Sequence, residues 1–351
     1  MNRKIKSCCS LSPRNLLCLL LCLLLLTGCG GGTTDSDGLR IGVALYAQED
    51  TFISSLSQCL ERLAQEAESE TGEKITLFIS DARGNQTSQM DQVDRFLNRG
   101  CDVLCVNIVD RTAAAVVADK AQAENVPLIF FNRQPVEEDI QRWSQIYYVG
   151  ASAQESGALQ GRLVLEAWEK DRERLDRNGD GILQYAMLEG EPGHQDALIR
   201  TEYSVKALTD AGVEVEKLVN DTANWNRSLG AGRMSQWLEP YGDQIEVLFS
   251  NNDDMALGAI DAMRERDWQD WPLIVGIDGT APALEAMASG QLYATVKNDE
   301  KGQAQAIIDL ALALYNGEDP SQTVDLTDGQ YVWLPYRPVT QDNLSQFLDP
   351  D

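Results

Sequence analysis

Tyr46, Asn132, His194, Asn252 and Asp278 share one placement along the chain. Each stands just past a short run of branched or aromatic residues, in the phrases ALY, FFN, LEGEPGH, FSNN and VGID. Amides, carboxylates, one imidazole and nearby aromatic rings are suited to hydroxyl groups and to C–H faces, the two surfaces a sugar presents. No GxGxxG follows any of these runs and no GxxxxGK[ST] occurs, so a cradle for nucleotide phosphates is not supported. A second motif is Asp176-Arg177-Asn178-Gly179-Asp180-Gly181-Ile182-Leu183-Gln184. Oxygen-bearing side chains at positions 1, 3, 5 and 9, with glycine at position 6, reproduce the first part of an EF-hand loop. The twelfth position is Met187, so the usual bidentate glutamate is missing. A run of this composition also reads as a plain turn.

The elements that must carry these residues follow from periodicity. Strands are predicted at Leu39 to Tyr46, Ile75 to Asp81, Val103 to Ile108, Leu128 to Phe131 and Ile146 to Gly150. Helical spacing of apolar positions separates them at Phe52 to Glu70, Gln86 to Arg99 and Ala113 to Glu124. The rhythm resumes with strands near Tyr185 to Glu189, Val213 to Val219, Ile245 to Asn251 and Leu273 to Ile277. This alternation predicts an α/β fold of two doubly wound parallel sheets, with ligand outside the carboxyl ends of the strands. A last strand, Tyr331 to Leu334, returns after a helix from Asp299 to Tyr315, so the two lobes are expected to be joined by a hinge of several strands. The predicted lobes are residues 39–150 with about 297–334, and 151–296 with about 335–351.

The amino end reads as an export signal. Arg3, Lys4, Lys6 and Arg14 precede an apolar run from Leu16 to Leu26, with no acid before Asp35. That run is about 11 residues, short of the ~20 that span a bilayer. It ends at Leu26-Thr27-Gly28-Cys29, which matches the bacterial lipobox; the match implies a leader of residues 1–28, an acylated Cys29 and a tether over 29–38. Of eight cysteines, only Cys59, Cys101 and Cys105 then remain in the body. Cys101 and Cys105, about 13 Å apart in extended chain, are too distant for a disulfide and read as buried small hydrophobes. With one histidine and no Cys-x-x-Cys, a Cys/His zinc site is not expected. Four of the 29 basic residues lie ahead of Cys29, which leaves 25 against 55 acids, a net −30 on the processed chain. Nucleic acid is therefore not the expected partner.

The phrases RIGVALYAQEDTF, FFNRQP, YYVGASAQESG, DRNGDG, LEGEPGHQDALIR, DTANW, IEVLFSNNDDMALGA, VGIDGTAPAL and TVKNDEKGQA resemble, in order and spacing, segments of the galactose/glucose-binding protein family, type I periplasmic binding proteins. The resemblance runs from about Leu39 to the C-terminus. It implies that Phe52 and Trp225 sandwich a pyranose ring. It places Asp50, Asn132, His194, Asp196, Arg200, Asn252, Asp278 and Asn298 at hydroxyl-binding positions, with Tyr46 lining the pocket. It further implies a structural calcium ion held by Asp176, Asn178, Asp180, the Ile182 carbonyl, Gln184 and the distant Glu246. The implied function is capture of D-glucose or D-galactose for an ABC permease, with chemosensing as a possible addition, by a monomer tethered to the outer face of the cell membrane through Cys29. Two alternatives stay open at this stage. One is another sugar of the same class; the other is glycoside hydrolysis by Asp50, Asp196 and Asp278, since paired carboxylates perform that reaction. A sugar-sensing repressor is disfavoured, because a signal segment stands where its helix-turn-helix would be. No catalytic residue is assigned.

Overall fold

The computed structural model describes residues 38–348; the leader, Cys29 and nearly all of the tether lie outside them. The first lobe begins with β1 (Leu39–Leu45), α1 (Thr51–Thr71), β2 (Ile75–Asp81), α2 (Gln86–Asn98), β3 (Val103–Val106), α3 (Ala114–Ala123), β4 (Leu128–Phe131) and β5 (Ile146–Ala151). The second carries α4 (Ala153–Lys170), β6 (Leu183–Glu189), α5 (Gln195–Asp210), β7 (Val215–Thr222), α6 (Arg227–Tyr241), β8 (Val247–Ser250), α7 (Asp253–Glu265), β9 (Leu273–Val275), α8 (Ala281–Ala288) and β10 (Thr295–Lys297). Then α9 (Glu300–Asn316) and β11 (Tyr331–Leu334) return to the first lobe, and β12 (Arg337–Val339) to the second.

The first sheet is parallel in the order β11-β5-β4-β3-β1-β2. Its strand β1 is buried almost throughout, as a strand covered on both faces must be. Leu39, Ile41, Val43 and Leu45 enter the core shared with α1 and α9. Ala44 faces the core built on Val93, Phe96 and Leu104. Between them Gly42 is required, because a Cβ there would lie 2.6 Å from the Phe96 ring. Helix α1 packs through Phe52, Ile53, Leu56, Leu60, Leu63 and Ala64, the 3–4 spacing of an amphipathic helix. Asp50 caps its start by accepting from the Ile53 amide, and Gly72 closes it in the left-handed conformation.

The second sheet, β7-β6-β8-β9, is also parallel and has a core on each face. Beyond β9 it continues through single bridges from Val275 to Ala294 and from Asp278 to Lys297. The chain crosses between lobes after β5, after β10 and after β11, with β10 and β12 paired antiparallel at the hinge. This is the two-lobed, strand-hinged architecture expected from the sequence.

Departures are confined to element ends and the hinge. Val213 is not in β7: the Gly212 turn, at φ +82°, brings the Val213 amide back to the Leu208 carbonyl, so the strand starts at Val215. The second lobe's hinge strands β10 and β12, three residues each, are too short to show a period. Cys101 and Cys105 are buried and unpaired, and Cys59 is half-buried. Among the described residues no helix is long and apolar enough to cross a membrane.

Candidate functional site

Ten of the eleven predicted pocket residues line one hollow between the lobes: Tyr46, Asp50, Phe52 and Asn132 from the first, and His194, Asp196, Arg200, Trp225, Asn252 and Asp278 from the second. Each sits at or just after the carboxyl end of a strand, or in the first turns of the helix that follows. Asn298, the eleventh, stands one layer back. Its Nδ2 donates to Asp278 Oδ1 at 3.4 Å and its Oδ1 accepts from Gln303 Nε2 at 2.7 Å, so it orients Asp278 from behind.

The first lobe's groups are already well tied. Tyr46 Oη donates to Asp50 Oδ2 at 2.5 Å, while Asp50 Oδ1 accepts from the Ile53 amide. Burial, and then the charge of Asp50, push the Tyr46 phenol up, so it stays protonated and acts as a donor. Asn132, at φ 60°, accepts at Oδ1 from Asn107 Nδ2 and donates its backbone N–H to the Val149 carbonyl, which leaves its side-chain NH2 for the hollow. Phe52 is only 5% exposed and belongs to the core under α1 as well as to the pocket wall.

The second lobe's groups are less complete. Arg200 is held on α5, which approaches α4 closely because Gly157 and Gly161 leave room; a Cβ at Gly161 would lie 2.2 Å from the Ser204 carbonyl. Its Nη1 donates to the Asn251 carbonyl at 2.8 Å and its Nη2 to Tyr336 Oη at 2.9 Å. Asp196 and Asp278 flank it at 3.9 and 3.8 Å. Burial opposes its charge, but Tyr336, Asp278 and Asp196 outweigh burial and keep it firmly protonated. Burial raises both carboxyls, with Arg200 pulling against it. Arg200 Nε and Trp225 Nε1 are buried without a hydrogen-bond partner, a condition native structures rarely tolerate.

Trp225 lies in the loop before α6 at φ 62°, beside Asn224 at φ 48°, and Asp278 sits at φ 118°. Non-glycine residues held at positive φ mark places where the surroundings over-determine the backbone. The indole lies against Gly190, where a Cβ would come within 2.2 Å of the ring. His194 meets it edge-on at 5.2 Å. The imidazole caps α5, its Nδ1 accepting from the Asp196 amide at 3.1 Å, so the neutral ring carries its proton on Nε2. Burial first, then Arg133, Arg200 and Arg111, hold its pKa well below the usual histidine range. Asn252 caps α7 with its oxygen and donates to the Trp225 carbonyl at 3.2 Å.

Two further residues line the same hollow, Ile53 and Arg133. Arg133 directly follows Asn132, and this adjacency was the signal available for it. Its guanidinium lies 3.6 Å from the centre of the Tyr46 ring.

The Asp176 loop forms a separate site in the second lobe. Asp180 Oδ2 accepts from Asn178 Nδ2 and Gln184 Nε2, both at 2.9 Å. Glu246 stands just before β8, not inside it, and accepts from the amides of Arg177 and Gln184 at 2.6 and 3.0 Å. Its carboxyl is pushed up by burial and by repulsion from Asp176 and Asp180, while the amides lower it. Asp176 Oδ1 is buried with no partner. Among the described residues no three Asp, Glu, His or Cys side chains form a metal-holding group; the donor set here also depends on Asn178, Gln184 and a carbonyl. The unpartnered Asp176 Oδ1, in a loop whose other donors are oxygen-bearing side chains and a carbonyl, is the one feature here suited to a hard cation.

Two sheets facing each other across a polar cleft, with ligand-type residues at strand ends, define a two-lobed solute-binding fold. Residues 41–319 match the periplasmic binding protein domain, and the chain belongs to that family. It is 37% identical over 312 residues to the D-galactose/methyl-galactoside binding periplasmic protein MglB of Haemophilus influenzae, covering 88% of this chain and 92% of that protein. A putative rhizopine-binding protein of Rhizobium meliloti is 33% identical over 90% of this chain and 94% of its own. Among solved structures, an ABC transporter solute binding protein from Bacillus halodurans with bound myo-inositol superposes with a TM-score of 0.74 at 30% identity, covering 90% of this chain and 99% of that one.

Proposed function

We propose that the chain is the lipid-anchored, extracytoplasmic receptor of an ABC sugar importer, binding glucose or galactose between its lobes without transforming it. The observation that carries this reading is the hollow itself: planar amide, carboxylate and guanidinium groups from both lobes surround it, with Phe52 and Trp225 among its walls. Such groups match ring hydroxyls, and the aromatic faces match C–H patches. The carboxylates are committed rather than poised for chemistry. Asp50 is held by Tyr46 and Ile53, and Asp196 and Asp278 flank one arginine. A sugar contacting both lobes favours the closed form, because only there are all its contacts made. The galactose-binding relative supports a hexose, and the inositol-bound neighbour favours a cyclitol as the competing ligand. Calorimetric titration of the detergent-purified protein with hexoses, pentoses and inositols tests this. Micromolar or tighter binding of glucose or galactose is expected, on the order of −8 kcal/mol or better. Binding of inositol with no hexose response would reassign the ligand, and no binding of any of these sugars or cyclitols would overturn the reading.

The same proposal includes a calcium ion at Asp176, Asn178, Asp180, the Ile182 carbonyl, Gln184 and Glu246. Bound there it would offset the charges of Asp176, Asp180 and Glu246 and fix the loop. Asn178 and Gln184 now turn amide nitrogens to Asp180, and rotating those amides would offer oxygens instead. A ligand of the folded state raises the melting temperature with concentration. Calcium should do so in the native protein, and Asp180→Ala and Glu246→Gln should lose that increment while still binding sugar. Identical melting in calcium and in chelator would remove the ion from the proposal. Acylation at Cys29, outside the described residues, is the proposed anchor.

A further inference from the structure

We propose that Arg133 and Glu191 form a clasp between the lobes that sets how long the pocket stays shut. This rests on the sugar-receptor reading above. Arg133 follows β4 of the first lobe and Glu191 follows β6 of the second. The arginine is 6% exposed with the lobes together; its guanidinium lies over the Tyr46 ring, and its Nη1 donates to the Val109 carbonyl at 2.9 Å. Those two contacts lie within its own lobe. Its carboxylate partner does not: Nη2 donates to Glu191 Oε2 at 2.8 Å across the cleft.

Separating the lobes would leave the guanidinium its ring and its carbonyl but remove its counter-charge. Opening exchanges the Glu191 carboxylate for water at the guanidinium, and a charge-assisted hydrogen bond to a mostly buried arginine is the better partner, so the pair favours the closed form specifically. Its position suits this role. Arg133 and Glu191 are both in the walls of two outer hollows, of about 560 and 380 Å³, so the pair crosses the mouth where these meet the pocket. Glu191 does not line the inner pocket itself. It can be altered without touching the groups assigned to the sugar.

The clasp acts after the lobes meet, so it belongs to dissociation more than to association. Stopped-flow kinetics with glucose or galactose should show Glu191→Gln releasing sugar about 5–20-fold faster, with association changed by less than about 3-fold. Arg133→Met keeps an apolar stem over Tyr46 but loses the charge. In that background Glu191→Gln should add nothing to the release rate, the non-additivity expected of two ends of one contact. Spin labels on the two lobes supply a readout that needs no sugar: in the ligand-free protein, Glu191→Gln should shift the distance distribution toward wider separations. Failure of the wild type to bind any sugar would strike the receptor reading alone. Wild-type release from Glu191→Gln, additive effects in the pair of variants, or an unaltered ligand-free distance distribution would each overturn the clasp.

Discussion

The two lobes bring different kinds of surface to the same hollow. On the first, Tyr46, Asp50 and Asn132 are tied to one another or to neighbouring chain, and Phe52 is as much core as wall. On the second, Arg200 and Trp225 each keep a buried donor without a partner, and two acids share the charge of one arginine. Two of the three non-glycine residues at positive φ that line the hollow, Trp225 and Asp278, also belong to the second lobe. Unmet polarity and strained backbone gather where ligand contacts are to be made, while satisfied groups close over them. The second lobe is thus the face that gains most from a polyol, and the first is the face that encloses it.

The comparison breaks most visibly at Arg200. Arg200→Met should abolish sugar binding and cost about 3–5 kcal/mol of stability, because it strands two buried carboxyls whose shared cation has gone. Both carboxyls already lie above their ordinary range through burial. The loss should therefore shrink at low pH, where they protonate, and grow as pH rises. Chemical denaturation at two pH values measures this. Equal destabilisation at both would mean that the carboxyls do not depend on Arg200.

A smaller contrast separates the two aromatic walls. Trp225→Ala should weaken binding by roughly 30-fold or more, the 2 kcal/mol scale of a central aromatic contact, with little effect on folding. Phe52 cannot be tested by the same cut, since truncating a core phenylalanine costs about 3–5 kcal/mol. Phe52→Leu keeps most of the volume and should lower affinity with only a modest fall in melting temperature. If the two variants change affinity and stability in the same proportions, the division between a wall and a core residue is mistaken.

Much of this was legible in the sequence because strand ends announce themselves. A period-two or fully apolar run stops, a polar residue follows, and in an open parallel sheet that residue faces the crevice. What escaped was whatever depends on a partner far along the chain. Arg133 reads as one more polar residue after Asn132 until Glu191, 58 positions on, is placed beside it. Asn298 carries the right residue type, but only the turn after β10 shows that Asp278 stands in front of it. Phe52 occupies an interior position of an amphipathic helix and a pocket wall at once, and periodicity reports only the former. The strands β10 and β12 exist because they pair with each other, and neither has length enough to be recognised alone.

The smallest effect is a pH dependence carried by His194, the chain's single histidine. Burial and the nearby arginines hold its folded pKa well below 6.5, the value it regains on unfolding. Below pH 6.5 the unfolded chain therefore binds a proton that the folded protein refuses. Stability from this group is complete above that pH and declines as pH falls toward the folded pKa, by at most about 1.4 kcal/mol per unit. The raised carboxyls of the same pocket act with the opposite sign, so the total is not diagnostic. The difference between wild type and His194→Gln isolates the imidazole. Unfolding free energies at pH 7.5 and 5.5 should fall more steeply with acid in the wild type than in the variant. The lone imidazole resonance should also remain that of the neutral ring at pH 6. Because Nδ1 is occupied by the Asp196 amide, protonation would have to break the cap of α5, so the depressed value and the helix start stand together. A resonance titrating at its ordinary pH, with equal slopes in the two proteins, would show an imidazole open to water and would place His194 outside the desolvated face of the second lobe.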